Sequence, residues 1–306
     1  MTLNPVPAAR ASARECTCDC GCRERVPFYP TDLTDEQWAV LEPLLPAMLC
    51  DTELGGRPER HWRRTMVDAM FYVVDSGCKW RSLPRDFPKW KTVHAMLARW
   101  KRDGVWADIA DLLRASVRRA AGRYPEPSAA IIDSQSVHES AEGVVPAATS
   151  GFDSWKKVNG RKRHLLVDTL GLLIAVVVTP ASVPDRDAAP LLLAAARRRG
   201  RARLALTWAD NAYHGAYQDW SAQDLGITVE IVDRAALGDG RKGNGFQVVP
   251  RRWVVERTNA WISRRRRCAR DYERLSGHHA AMVQLAAIIQ MTRRAAKTRD
   301  DNPTPN

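Results

Sequence analysis

Three acidic residues stand where packing alone does not explain a carboxylate. Asp133 closes the apolar run Ala129-Ala130-Ile131-Ile132, and Asp210 closes Leu204-Ala205-Leu206-Thr207-Trp208-Ala209. Glu256 lies inside a basic stretch, between Arg251-Arg252 and Arg264-Arg265-Arg266-Arg267. Open α/β sheets place their sites at the carboxyl ends of strands, where the first two acids are expected. Three convergent carboxylates without Cys or His at ligand spacing suit a hard cation bound through oxygen, Mg2+ or Mn2+. Two such ions about 4 Å apart activate an attacking oxygen and stabilise a leaving one in phosphoryl transfer. Each acid taken singly also reads as a helix cap or a salt-bridge partner.

Other motifs are weaker. Asp185 and Asp187 precede a helical segment, where Asp caps, and Asp168 ends a strand before a turn. Gly238-Asp239-Gly240-Arg241-Lys242-Gly243 matches G-x-G-x-x-G but lacks the strand–loop–helix frame a dinucleotide needs, so it reads as a loop. Cys16, Cys18, Cys20 and Cys22 alternate, which suits neither disulfides nor the usual Cys-x2-Cys zinc spacing. No Ser/His/Asp arrangement stands out.

The chain carries 47 Lys+Arg against 35 Asp+Glu over 306 residues, a net charge of +12. That excess favours a polyanionic partner, nucleic acid first. Between residues 241 and 274, eleven cations face three acids. A solvated face mixes the signs more evenly, so phosphate contacts are expected from Arg252, Arg257 and Arg264. Lys156, Lys157, Arg161, Lys162 and Arg163 form a second cluster beside Asp133, and Lys101 and Arg102 a third. Trp253 and Trp261 read as core residues, with base stacking as the alternative. The longest apolar run, Leu172 to Val178, is too short to span a bilayer, and no export signal is evident. A cytoplasmic, nucleoid-associated protein is expected.

These residues need elements to position them. Residues 1–27 lack periodicity and read as a disordered, Cys-containing tail. Apolar spacing predicts a helix after the cap Thr34, another through Trp62 to Val74, and a third from Thr92 to Trp106. An all-helical module, compatible with helix-turn-helix, is thus expected over residues 28–120. From Ala129 the pattern becomes strand, strand, strand, helix, strand, helix, strand, helix. The predicted strands include 163–168, 172–179, 203–209 and 227–232, and the final basic helix runs from 251 to about 269. A mixed α/β sheet with helices on both faces is expected over 127–295, followed by a polar, disordered tail at 296–306.

The chain resembles the DDE transposases of bacterial insertion sequences, in the group named after insertion sequence five. The resemblance runs from about Tyr29 to Met291. It is carried by Tyr29-Pro30-Thr31-Asp32-Leu33-Thr34-Asp35-Glu36-Gln37-Trp38, Ser76-Gly77-Cys78-Lys79-Trp80-Arg81, Asp133-Ser134-Gln135-Ser136-Val137 and Gly160-Arg161-Lys162-Arg163-His164. Asp185-Arg186-Asp187, Trp208-Ala209-Asp210-Asn211-Ala212-Tyr213 and Arg252-Trp253-Val254-Val255-Glu256-Arg257 complete it. It implies an RNase H-like catalytic domain in which Asp133, Asp210 and Glu256 are the catalytic acids and hold two divalent ions. It further implies that the helical module binds terminal inverted repeats. Cleavage at each end would precede transfer of the freed 3′-hydroxyl to target DNA, in a homodimer or larger synaptic complex. A nuclease of the same fold that does not join ends, and an inactive DNA-end-binding protein, are the competing functions. Related transposases place Tyr, Arg and Lys around the last acid. Here Arg252 holds the Arg offset, while Val249 and Ser263 stand at the other two and Arg264 follows one position later.

Overall fold

The computed structural model describes residues 25–53, 55, 58–139, 145–232 and 253–300. Helix α1 (Asp35–Leu41) starts at Thr34, whose side chain accepts the Gln37 N–H, as its capping-box pattern predicts. Helix α2 (Arg63–Ser76) ends at Gly77 in the left-handed region. The single helix expected over 92–106 is two: α3 (Trp90–Arg102) and α4 (Val105–Ala120). Between them Gly104 has φ +76°, which lets the chain turn and start again. Arg25, in the stretch read as tail, is held by Asp32 at 2.9 Å and Asp86 at 3.1 Å and lies over the Phe87 ring. The Cys cluster and the glycine loop at 238–245 lie outside the described residues.

The sheet is built from β1 (Ala129–His138), β2 (Gly151–Asp153), β3 (Val158–Asp168), β4 (Leu173–Pro180), β5 (Leu206–Ala209) and β6 (Thr228–Ile231). Its order is β2-β3-β1-β5-β6, with β4 also on β3. Strands β1, β5 and β6 run parallel, whereas β3 is antiparallel to both β1 and β4. Helix α5 (Asp185–Arg198) connects β4 to β5, and α6 (Tyr217–Leu225) connects β5 to β6. The turn between β3 and β4 is held by Asp168, which accepts the N–H groups of Leu170 and Leu172 and pairs with Arg118. Strand β1 does not stop at Asp133 but continues five residues further along β3.

Both faces of the sheet are covered. On β1, Ala130 and Ile132 pack with Leu192, Leu193 and Tyr213, while Ile131 packs on the opposite side with Trp208, Val254 and Val255. That second core runs on without interruption into α1 to α4. The basic segment expected as one helix is α7 (Trp253–Ser263) followed by the short α8 (Arg266–Ala269). Helix α9 (Ser276–Asp300) extends through residues expected as tail. It is buried on most of its circumference, from Ala281 to Ala296, and packs against α4, α1, α2 and β4. No helix among the described residues is long and apolar enough to cross a membrane.

Candidate active site

Strands β1 and β5 pair in parallel with Ile131 opposite Trp208. Parallel partners share a face, so carrying the register two residues further sets Asp133 beside Asp210 on the side that α7 covers. Asp210 directly follows β5 and caps the single turn Asn211–Tyr213, its Oδ1 accepting the Ala212 N–H at 3.0 Å. Asp133 is held in mid-strand rather than at a strand end.

Helix α7 is fastened across β1 by a row of side chains at helical spacing. Asn259 Nδ2 donates to Asp133 Oδ2 at 2.9 Å. Ser263, one turn later, donates to Gln135 Oε1 at 3.2 Å, and Gln135 is two residues past Asp133 on the same strand face. Arg163 completes the row from β3. It donates to Gln135, to Ser263 Oγ at 2.8 Å and to the Cys268 carbonyl at 2.8 Å. Glu256 precedes Asn259 by three residues, so both lie on the same face of α7. Behind α7, Thr258 Oγ1 donates to the Gly171 carbonyl at 2.9 Å, docking the β3–β4 turn.

A polar cluster fills the other face of β1. Lys162 Nζ lies 3.1 Å from Asp185 and 3.5 Å from Asp153, which also accepts the Ser136 hydroxyl. Asp185 therefore does not cap α5, where Pro184 holds the cap position, but neutralises a buried lysine. His164 is fully buried against Thr179; burial pushes its pKa down to about 4, with Asp185 opposing, so the ring is neutral at pH 7. Burial, with the carboxylates of Asp185, Asp133 and Asp210, holds the Tyr213 phenol well above its ordinary range, keeping it protonated.

The expected basic contacts divide by exposure. Lys156, Lys157, Arg102 and Arg264 are exposed, and Lys101 is half-buried. Lys162 and Arg163 are 6% and 1% exposed, with their donors used inside the protein, so neither reaches a phosphate. Arg257 is half-buried, its guanidinium stacked 4.4 Å from the Trp253 ring and 4.5 Å from the Trp261 ring. Trp253 is 42% exposed, so this pair flanks a cation at the surface instead of filling the core. Arg252 lies outside the described residues. Sequence reasoning missed Asn259, although Glu256-x-x-Asn259 is an i, i+3 pair. It also missed Trp155, 91% exposed in the turn between β2 and β3.

The oxygen-only donor set suits a hard cation, but among the described residues no three His, Cys, Asp or Glu side chains stand close enough to hold a metal ion by themselves.

The described geometry agrees with what the chain is similar to. Residues 124–291 match the family described as "Transposase DDE domain", and residues 33–131 match "Putative transposase of IS4/5 family". The putative transposase for insertion sequence element IS402 of Burkholderia cepacia is 29% identical over 192 residues, covering 59% of this chain and 85% of that protein. An uncharacterised 16.2 kDa protein of the same element is 29% identical over 113 residues, 36% of this chain and 76% of its own length. With more than half its length matching a single domain of this kind, on a sheet of RNase H-like order, the chain belongs to the DDE transposases of the IS4/5 insertion sequences.

Proposed function

We propose that Asp133, Asp210 and Glu256 form the phosphoryl-transfer site of this insertion-sequence transposase. The observation that carries the reading is the Asn259–Asp133 hydrogen bond, because it fastens α7, the helix that bears Glu256, to the strand that bears Asp133. DDE transposases depend on divalent metal. Here the three carboxylates would hold two Mg2+ or Mn2+ ions, which supply Lewis-acid polarisation of the phosphodiester and a water acidic enough to attack it. The protein's own groups do the rest. Asp133 and Asp210 are fixed by Asn259 and by the Ala212 N–H, so their oxygens do not reorganise when charge develops. Tyr213 stays protonated and adds no further negative charge.

DNA would reach this site across the β2–β3 turn and α7. Lys156, Lys157 and Arg264 are exposed there, and Lys156 Nζ also touches the Ser134 carbonyl at 3.3 Å, one residue from Asp133. Trp155 and the Trp253–Arg257–Trp261 stack offer flat surfaces to unpaired bases. Cutting and joining two ends together requires two such sites in one assembly, hence a homodimer or larger complex on terminal inverted repeats. DNA as substrate supports a cytoplasmic, nucleoid-associated place of action.

The test is an end-mimicking duplex incubated with Mg2+ or Mn2+. The native chain should release a 3′-hydroxyl end and join it to a second duplex. Asp133→Asn, Asp210→Asn and Glu256→Gln should each cut at least about a thousandfold more slowly while still binding DNA. Cleavage without joined product would favour a nuclease, and full activity in any of the three variants would remove that acid from the site.

A further inference from the structure

Asn259 is 7% exposed and sits in the middle of α7, where Asn is a poorer helix former than Leu or Ala. Its Nδ2 is used by Asp133, but its Oδ1 is buried with no hydrogen-bond partner among the described residues. The amide orientation follows from its neighbour. An ionised carboxylate only accepts, so turning the amide over would set oxygen against oxygen. A buried acceptor left unmet destabilises the fold. A packing role alone would be served better by an apolar side chain of the same size.

Among the described residues no donor meets this oxygen. Asp133 and Glu256 are acceptors when ionised. Ser263 and Arg163, the nearest donors along the α7 row, are turned to Gln135, to each other and to the Cys268 carbonyl. A DNA phosphate brings only further acceptors. What fits is a cation or a water polarised by one, beside the Asp133 carboxylate.

We infer that Asn259 is a positioning residue of the divalent-ion site. Its Nδ2 sets the rotation of the Asp133 carboxylate, and its Oδ1 accepts a hydrogen from water held by the ion bound there. Mg2+ keeps several waters when it binds protein, and groups that orient such ligands change metal affinity about 10- to 100-fold. This rests on the three-acid reading above, and the experiment separates the two.

Mn2+ is titrated into the full chain without DNA, with free Mn2+ followed by electron paramagnetic resonance. Asn259→Leu should bind Mn2+ at least about tenfold more weakly than the native chain, and Asp133→Asn should lose the site. Asn259→Thr keeps a hydroxyl that can donate to Asp133 and accept from that water, so it should bind Mn2+ within about threefold of native protein. A residue that merely filled space would bind alike in the Leu and Thr variants. The inference is overturned if Asn259→Leu binds within twofold of native while Asp133→Asn does not bind, or if Asn259→Thr binds as weakly as Asn259→Leu. If Asp133→Asn also binds as native, the three-acid reading itself falls, and this inference with it. Should Asn259→Leu fail to fold, the Thr variant is compared with native protein, and a loss of about tenfold or more there overturns the inference.

Discussion

Arg163 and Ser263, one hundred residues apart in the chain, are joined by a 2.8 Å hydrogen bond inside the protein. The bond, with Gln135 between them, latches the helix of Glu256 to the strand of Asp133. An arginine whose type and setting suggest a phosphate contact thus acts as a brace.

This brace makes a clear contrast testable. Arg163→Met should lower unfolding stability by about 2–4 kcal/mol, since Gln135 and the Cys268 carbonyl lose buried donors. It should leave the salt dependence of DNA binding unchanged. Lys157→Ala should do the reverse, leaving urea midpoints alone while reducing the slope of log affinity against log salt by about one. A salt slope altered by Arg163→Met at unchanged stability would refute the brace.

Trp155 is presented by a turn fixed from within. Asp153 Oδ1 accepts the N–H groups of Trp155 and Lys156 at 3.1 and 3.0 Å, and its other oxygen is held by Ser136. Trp155→Ala should weaken binding to DNA with unpaired ends by about 1–3 kcal/mol, measured by fluorescence anisotropy, and Trp155→Phe should recover most of it. Equal affinity in the Ala variant would place DNA elsewhere.

Gly171 has φ +80°, and a Cβ there would stand 2.8 Å from Thr258 Oγ1 on α7. Gly171→Ala therefore combines backbone strain with a clash at the docking of the β3–β4 turn. It should cost about 1–3 kcal/mol in chemical denaturation. A variant as stable as the native chain would show that α7 can shift away from the sheet.

Asp68, buried in α2, accepts the Leu33 N–H, and burial pushes its pKa up to about 7. Unfolded, it titrates near about 3.9. The folded state therefore holds this proton more tightly, and the stability it contributes is complete below about pH 4 and is lost as pH rises through about 7. Asp68→Asn should remove that loss, so its stability relative to native should rise between pH 4 and 8 by up to about 4 kcal/mol. A constant difference across that range would mean Asp68 ionises normally.

Much of this architecture is legible along the chain. The apolar runs ending in Asp133 and Asp210 identify β1 and β5, and Thr34 marks the start of α1. The breaks at Gly104 and between α7 and α8 are harder to read, because apolar residues continue past both and only backbone geometry ends the helix. Helix α9 escaped because its buried residues surround it, leaving no alternating face to recognise.

Residue type and order determined the mixed α/β class and the family, since each depends on local pattern or on ordered motifs. Tertiary structure alone decided which cations meet solvent. Strand β3 is central and covered on both sides, so alternation along Arg161, Lys162, Arg163 and His164 sends every side chain inward. On such a strand no face is wet, and charge in the sequence marks an internal partner instead of an external one. Only the folded chain could reveal the partners: Gln135 and Ser263 for one cation, Asp153 and Asp185 for the next.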